Sequence, residues 1–147
     1  MDHLKIVKKV IFLCLGNSCR SQMAEAFAKI YGKGIIEAYS AGARPAGYVH
    51  SHTVTVMNEV GVNLGDHTSK PIDRNFLEQM DWVVTMAEES KAIVSSLPSH
   101  IHCVHWDVDD PVFVFGKEER VLQAFRLTRD HIKKKVLALI EDIKQHG

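Results

Sequence analysis

A cysteine and an arginine six positions apart bracket the segment Cys14-Leu15-Gly16-Asn17-Ser18-Cys19-Arg20-Ser21. The apolar run Val10-Ile11-Phe12-Leu13 before it reads as a buried strand, and Gln22–Lys29 after it reads as a helix. A thiol at a strand end, an arginine opening a helix and a short loop whose amides can turn inward make a site for a tetrahedral oxyanion above a thiolate. A free cysteine has a pKa of about 8.5, which helix N-termini and nearby cations lower to roughly 3.5–7.5. Cys14 is placed to feel both: the helix N-terminus with its unpaired amides, and Arg20, whose planar donor fork suits phosphate-like oxygens. Ser21 can donate a hydroxyl hydrogen bond to the sulfur, which favours the charged form. Gly16 is expected to let the loop turn, and Asn17 tolerates a left-handed backbone and can brace the loop with its side chain.

Displacement at the centre of such an oxyanion also needs a proton for the leaving oxygen, which a carboxyl on a loop facing the thiolate supplies. Asp109-Asp110-Pro111 follows a strand candidate, and Pro111 biases Asp110 toward an extended backbone. Asp107 reads as solvated. His100, His102, Cys103 and His105 have metal-ligand chemistry, but on a strand His102 faces away from Cys103 and His105. No second cluster with zinc spacing accompanies them, so no metal site is expected. His50 and His52 read as capping or lining a surface loop, and Lys133-Lys134-Lys135 as a solvated helix face.

These groups need a frame to hold them. Strand candidates are Lys9–Leu13, Ile35–Tyr39, Trp82–Thr85 and Ile101–His105, short and apolar as strands covered on both faces tend to be. Helical patterns lie at Ser21–Ile30, with Met23, Ala26, Phe27 and Ile30 on one face, and at His52–Val60, ending at Gly61 as a C-cap. Others lie at Asp73–Gln79, opened by an N-cap aspartate, at Ala87–Leu97, and at Glu118–Gln145, whose apolar residues include Phe125, Leu127, Ile132 and Val136. Alternating strands and helices predict an α/β fold: one domain over residues 1–147, a four-stranded parallel sheet with helices on both faces. Ligands in such sheets bind beyond the carboxyl ends of the strands, where both Cys14 and the Asp109-Asp110-Pro111 loop fall.

Eighteen basic and eighteen acidic residues leave a formal net charge of zero, so there is no electrostatic footprint for nucleic acid or an anionic membrane. No apolar run approaches a membrane span, and Met1–Lys9 lacks a signal-peptide layout. Three cysteines suggest no disulfide framework, and a reducing cytoplasm is the expected setting for a working thiol.

The stretch from Cys14 to Phe27 resembles the active-site segment of the low-molecular-weight protein tyrosine phosphatase superfamily, and within it the arsenate reductases. The likeness extends through Ala38-Tyr39-Ser40-Ala41-Gly42, Glu59–Val62 with Asp66–Lys70, Asp81–Met86, Trp106–Pro111 and Phe125–Ile132. The resemblance implies Cys14 as nucleophile, with Arg20 and the loop residues Leu15, Gly16, Asn17, Ser18, Cys19 and Ser21 holding the oxyanion. It implies Asp110, rather than Asp109, as the acid. By the same match Asn17, Ser21, Ser40 and His67 brace the loop.

Two activities fit that resemblance. An arsenate reductase forms a covalent arsenic–sulfur adduct that a second thiol resolves, releasing arsenite. A protein tyrosine phosphatase hydrolyses phosphotyrosine through a phosphocysteine intermediate and needs only water at that stage. The thioredoxin-coupled reductases carry two further cysteines after the third strand, whereas Thr85-Met86-Ala87-Glu88-Glu89-Ser90-Lys91 has none. Cys19 and Cys103 are the candidate resolving thiols inside the chain, with Cys103 read as buried in mid-strand. No bound cofactor is expected. The reductant would otherwise be external: thioredoxin, glutaredoxin with glutathione, or mycothiol. The phosphatases place tyrosines just after Asp-Pro, where this chain has Val112, Phe113 and Phe115, and the second-strand loop supplies only Tyr48. Ser18 and Gln22 look more like the reductases, so arsenate is the expected substrate, and phosphate or phosphotyrosine the alternative.

Overall fold

The computed structural model describes residues 6–146; Met1–Lys5, part of the N-terminal run read above, and Gly147 lie outside the described residues. Four strands, β1 (Lys8–Cys14), β2 (Ile36–Gly42), β3 (Trp82–Thr85) and β4 (His102–His105), form one parallel sheet in the order β2-β1-β3-β4. Between them run α1 (Arg20–Tyr31), α2 (Ser51–Asn58), α3 (Arg74–Leu77), α4 (Lys91–Ser95) and the long closing helix α5 (Glu118–His146). The predicted parallel α/β architecture is therefore present, with the site-bearing strand β1 at the centre of the sheet.

Period-two alternation along β1 divides the core. Val10 and Phe12 face a cluster built with Met23 and Phe27 of α1 and Phe125, Ile132 and Val136 of α5. Ile11 and Leu13 face the other side, against Leu77, Met80, Val83 and Ile101. Cys14 falls on the first of these faces. Strands β1 and β2 run further than their apolar patterns because they pair along their whole lengths, from Lys8 with Ile36 to Cys14 with Gly42.

Several expectations need correction. Ile30 is 49% exposed, because the stripe of α1 that packs is Met23, Ala24, Phe27 and Ala28. Leu127 is 62% exposed, lying off the line Phe125-Thr128-Ile132-Val136 that α5 buries. The helix read at Ala87–Leu97 is a 3₁₀ turn, Glu88–Ser90, followed by the single short helix α4. Cys103 is exposed rather than buried, since β4 is the edge strand and so short a helix leaves its thiol uncovered. Other readings agree with the structure: Gly61 is left-handed at φ 79° after α2, Asp73 caps α3 by accepting from the Asn75 amide, and the His50 ring caps α2 by accepting from the His52 amide.

Glu59, just past α2, ties that helix to α5. It accepts from Nε and Nη2 of Arg126 at 3.0 and 2.9 Å and from Nη1 of Arg129 at 2.8 Å. The hydrogen bonds from Arg126, then those from Arg129, hold its carboxyl below the ordinary carboxylate range. A depressed native value means the stabilisation is complete above the unfolded value of about 4.3 and is lost as pH falls through the native one. Glu59→Gln is therefore expected to lower the melting temperature at pH 7, with the gap from the parent closing as thermal melts are taken down toward pH 3.

Candidate active site

The loop from Leu15 to Cys19 joins the end of β1 to the start of α1, and its carbonyls are all engaged from outside. Ala43, Arg44 and Ala46 amides donate to the carbonyls of Cys14, Leu15 and Gly16 at 3.2, 2.8 and 2.8 Å. The Gln22 side-chain amide takes the Asn17 carbonyl at 2.9 Å, the His50 amide takes that of Ser18 at 2.9 Å, and the Met23 amide takes that of Cys19 at 3.0 Å. Ser69 Oγ adds a second donor to Gly16 O at 3.0 Å. With the carbonyls turned outward, the amides of residues 16–19 have no acceptor among the described residues. Backbone donors left so at a helix N-terminus form an anion cradle.

Asn17 is the one non-glycine residue with positive φ, at 48°, among the described residues. The left-handed residue of the loop is thus Asn17, while Gly16 needs no such backbone. The glycine the loop does require is Gly42 at the end of β2, which the sequence reading assigned no role. A Cβ there would lie 2.7 Å from the Asn17 nitrogen and 2.8 Å from the Leu15 carbonyl oxygen.

The Asn17 side chain reaches Cys14 through Ser21. Its Oδ1 accepts from the Lys70 amide at 2.8 Å, which fixes the orientation of its amide. Nδ2 then donates to Ser21 Oγ at 2.7 Å, and Ser21 Oγ lies 2.9 Å from Cys14 Sγ. Either atom of that pair can donate, and toward an ionised sulfur Ser21 is the donor. Cys14 and Ser21 are both buried.

Arg20 spans the other side of the site. Its Nη1 donates to the carbonyls of Met86 and Val108 at 2.5 and 2.9 Å, and Nη2 lies 3.3 Å from Asp110 Oδ2. Arg20 Nε is buried with no partner among the described residues. Asp110 also accepts from the Val112 amide at 3.2 Å, capping the 3₁₀ turn Pro111–Phe113, so the carboxyl is held at the loop rim beside the arginine. Asp107 and Asp109 are exposed. Phe113 and Phe115, 61% and 81% exposed, are rim rather than core, and Phe113 lines a cleft with Leu15, Arg20, Met86 and Val108.

The remaining predicted residues lie at different depths. His67 Nδ1 is 2.8 Å from Gln22 Oε1 and so meets the loop through Gln22. Ser40 donates to the buried Glu25, whose other oxygen accepts from Lys29 at 2.6 Å; it braces α1 rather than the loop. Cys19 is buried, and burial above all pushes its thiol well up, so it stays protonated. Cys103 pairs in register with Val83 and shares the sheet face opposite Cys14. Two strand spacings and three residues of rise separate it from Cys14 by roughly 14 Å, beyond disulfide reach. Gln22, Glu25 and Lys70 were given no role by the sequence reading. The signal that marks the first two is two polar residues inside an otherwise apolar, packed stretch of α1.

The family model for low molecular weight phosphotyrosine protein phosphatase matches residues 9–147. The chain belongs to the low molecular weight phosphotyrosine protein phosphatase family. An arsenate reductase of Halalkalibacterium halodurans is 41% identical over 135 residues, covering 91% of this chain and 96% of that protein. Among solved structures, an arsenate reductase in the phosphate binding state superposes with a TM-score of 0.74 at 35% identity, covering 93% of this chain and 99% of that one. A low molecular weight protein tyrosine phosphatase from T. tengcongensis gives 0.76 at 28% identity, with 92% and 99% covered. Within this phosphatase family fold, the Cys14 loop and the Asp110 loop follow the carboxyl ends of β1 and β4, which flank β3 in the sheet.

Substituting Gly42 by alanine is expected to push the Asn17 peptide out of place. Inorganic phosphate, titrated calorimetrically, should bind about tenfold more weakly or worse, since misplacement of a positioning group by about 1 Å costs up to ~10²-fold.

Proposed function

We propose that this protein is a cysteine-dependent arsenate reductase whose second thiol comes from outside the chain. The observation that carries the reading is the loop itself: every carbonyl from Cys14 to Cys19 is bonded to a donor outside the loop, which leaves its amides without acceptors, and Ser21 lies on the Cys14 sulfur. The relatives named arsenate reductase support arsenate as the oxyanion.

In this reading the Cys14 thiolate attacks arsenic while the loop amides and Arg20 hold the equatorial oxygens. The opposite hydroxyl leaves as water on taking a proton from Asp110. An external thiol then attacks Cys14 Sγ. The arsenic–sulfur electron pair stays on arsenic, arsenite departs, and Cys14 is left in a mixed disulfide. A second equivalent of thiol releases Cys14 and carries away the disulfide. A low-molecular-weight thiol such as glutathione or mycothiol, or a redox protein such as thioredoxin or glutaredoxin, fills this role, in a cytoplasmic setting that keeps Cys14 reduced. The protonated, buried Cys19 and the distant Cys103 support an external source. No helix among the described residues is long and apolar enough to cross a membrane.

The same lack of an internal relay favours a second reading, phosphoester hydrolysis, because water resolves a phosphocysteine without any thiol. Turnover on one preparation separates the two. Arsenate is offered with thioredoxin, glutaredoxin–glutathione and mycothiol systems in turn, and an aryl phosphate and a phosphotyrosine peptide are offered beside it. Arsenite formation with one thiol system, retained in Cys103→Ser and abolished in Cys14→Ser, is the expected result. Efficient phosphopeptide cleavage with no arsenite from any system would make the protein a phosphatase.

Asp110→Asn is expected to slow adduct formation about 100-fold in single-turnover measurements, the lower end of the usual contribution of a general acid.

A further inference from the structure

Gln22 is fully buried in the first turn of α1, yet it is a polar side chain with most of its hydrogen-bonding capacity used. Its Nε2 lies 2.9 Å from the Asn17 carbonyl and 2.9 Å from the Thr68 carbonyl. Two carbonyl partners require that nitrogen to be the NH2 group, so Oε1 faces His67 Nδ1 at 2.8 Å and accepts its proton. His67 donates through Nδ1 whether its ring is neutral or charged. One amide therefore ties the catalytic loop to the 67–68 segment, and the two peptides it bridges belong to parts of the chain far apart in sequence.

The peptide it grips on the loop side is the strained one. Asn17 is left-handed, which an asparagine tolerates but does not prefer. Its side chain reaches Ser21 and the Lys70 amide from that backbone, and Ser21 in turn reaches Cys14. If the Asn17 peptide rotates, the Asn17–Ser21–Cys14 chain and the inward set of loop amides are lost together. We propose that Gln22 is the positioning residue of the site: its buried amide pins the left-handed Asn17 peptide to residues 67–68, and so keeps Ser21 on the Cys14 sulfur and the loop amides on the oxyanion. This rests on the reading of Cys14 as the reacting thiol, but on neither substrate.

The test uses two readouts that need no turnover. One is the pH profile of Cys14 carboxamidomethylation by iodoacetamide, followed on the Cys14 peptide by mass spectrometry. The other is protection of Cys14 by inorganic phosphate. Gln22→Met, matched in size and apolar, is compared with Leu139→Ala, a core truncation remote from the loop that serves as a stability control. Gln22→Met is expected to move the alkylation profile to higher pH, slow alkylation at pH 7 about fivefold and weaken phosphate protection about fivefold, the worth of one hydrogen bond. Leu139→Ala should lower the melting temperature and leave both unchanged. His67→Ala, which frees only the far end of the amide, should shift both readouts in the same direction by less, and it decides the matter if Gln22→Met does not fold. Profiles and protection equal to the parent in the folded variants, or moved no more than in Leu139→Ala, would overturn the positioning role. A parent whose Cys14 is neither protected by phosphate nor more reactive than Cys103 would overturn the site assignment itself, and the proposal with it.

Discussion

The arrangement around Cys14 depends on where the loop's carbonyls go. Six consecutive carbonyls, Cys14 to Cys19, could in principle face the site and repel an oxyanion. Each is instead taken by a donor outside the loop: the strap after β2 takes three, and Gln22, His50 and Met23 take one each. A peptide unit is rigid, so fixing its carbonyl outward fixes the next amide inward. The anion site is thus specified by the outer hydrogen bonds as much as by the loop's own residues, and a change well outside the loop can unmake it.

The same constraint explains why two residues with no chemistry of their own matter. Gly42 closes the space under Asn17 so tightly that a methyl group would meet the loop backbone. Lys70 contributes through its backbone amide, which orients the Asn17 carboxamide and so sets the direction of the bonds that end on the sulfur. The buried Glu25 sits one turn further along α1, with Ser40 and Lys29 on its oxygens, and joins the helix to β2. Charge inside a protein needs such partners. On the opposite wall, Arg20 reaches the carbonyls of Met86 and Val108 and pairs with Asp110, so in the proposed reaction the cation that meets the oxyanion also positions the acid.

Placement of the three thiols supports the proposed resolution from outside the chain. Cys14 has a hydroxyl donor and a ring of amides. Cys19, five residues on, is buried against Thr53, where burial outweighs the hydroxyl's effect and keeps its proton on. Cys103 is exposed on the far face of the edge strand. A thiol so isolated suits the proposed reaction, in which the resolving group, thiol or water, diffuses in.

Cys14, Arg20, the Asp109-Asp110-Pro111 loop and the parallel α/β frame were legible in the chain alone. These are local: Cys14 and Arg20 are fixed relative to each other by one strand–loop–helix unit, and strand periodicity follows from neighbouring residues. It also named Asn17 and Ser21, because both act within that unit. Everything that crosses between segments came instead from packing. The grip of Gln22 on residues 67–68, the close approach of Gly42, the Lys70 amide and the separation of Cys103 from Cys14 all depend on strand order and register. No spacing in the chain encodes these, since the partners are brought together by the packing of the sheet rather than by proximity in sequence.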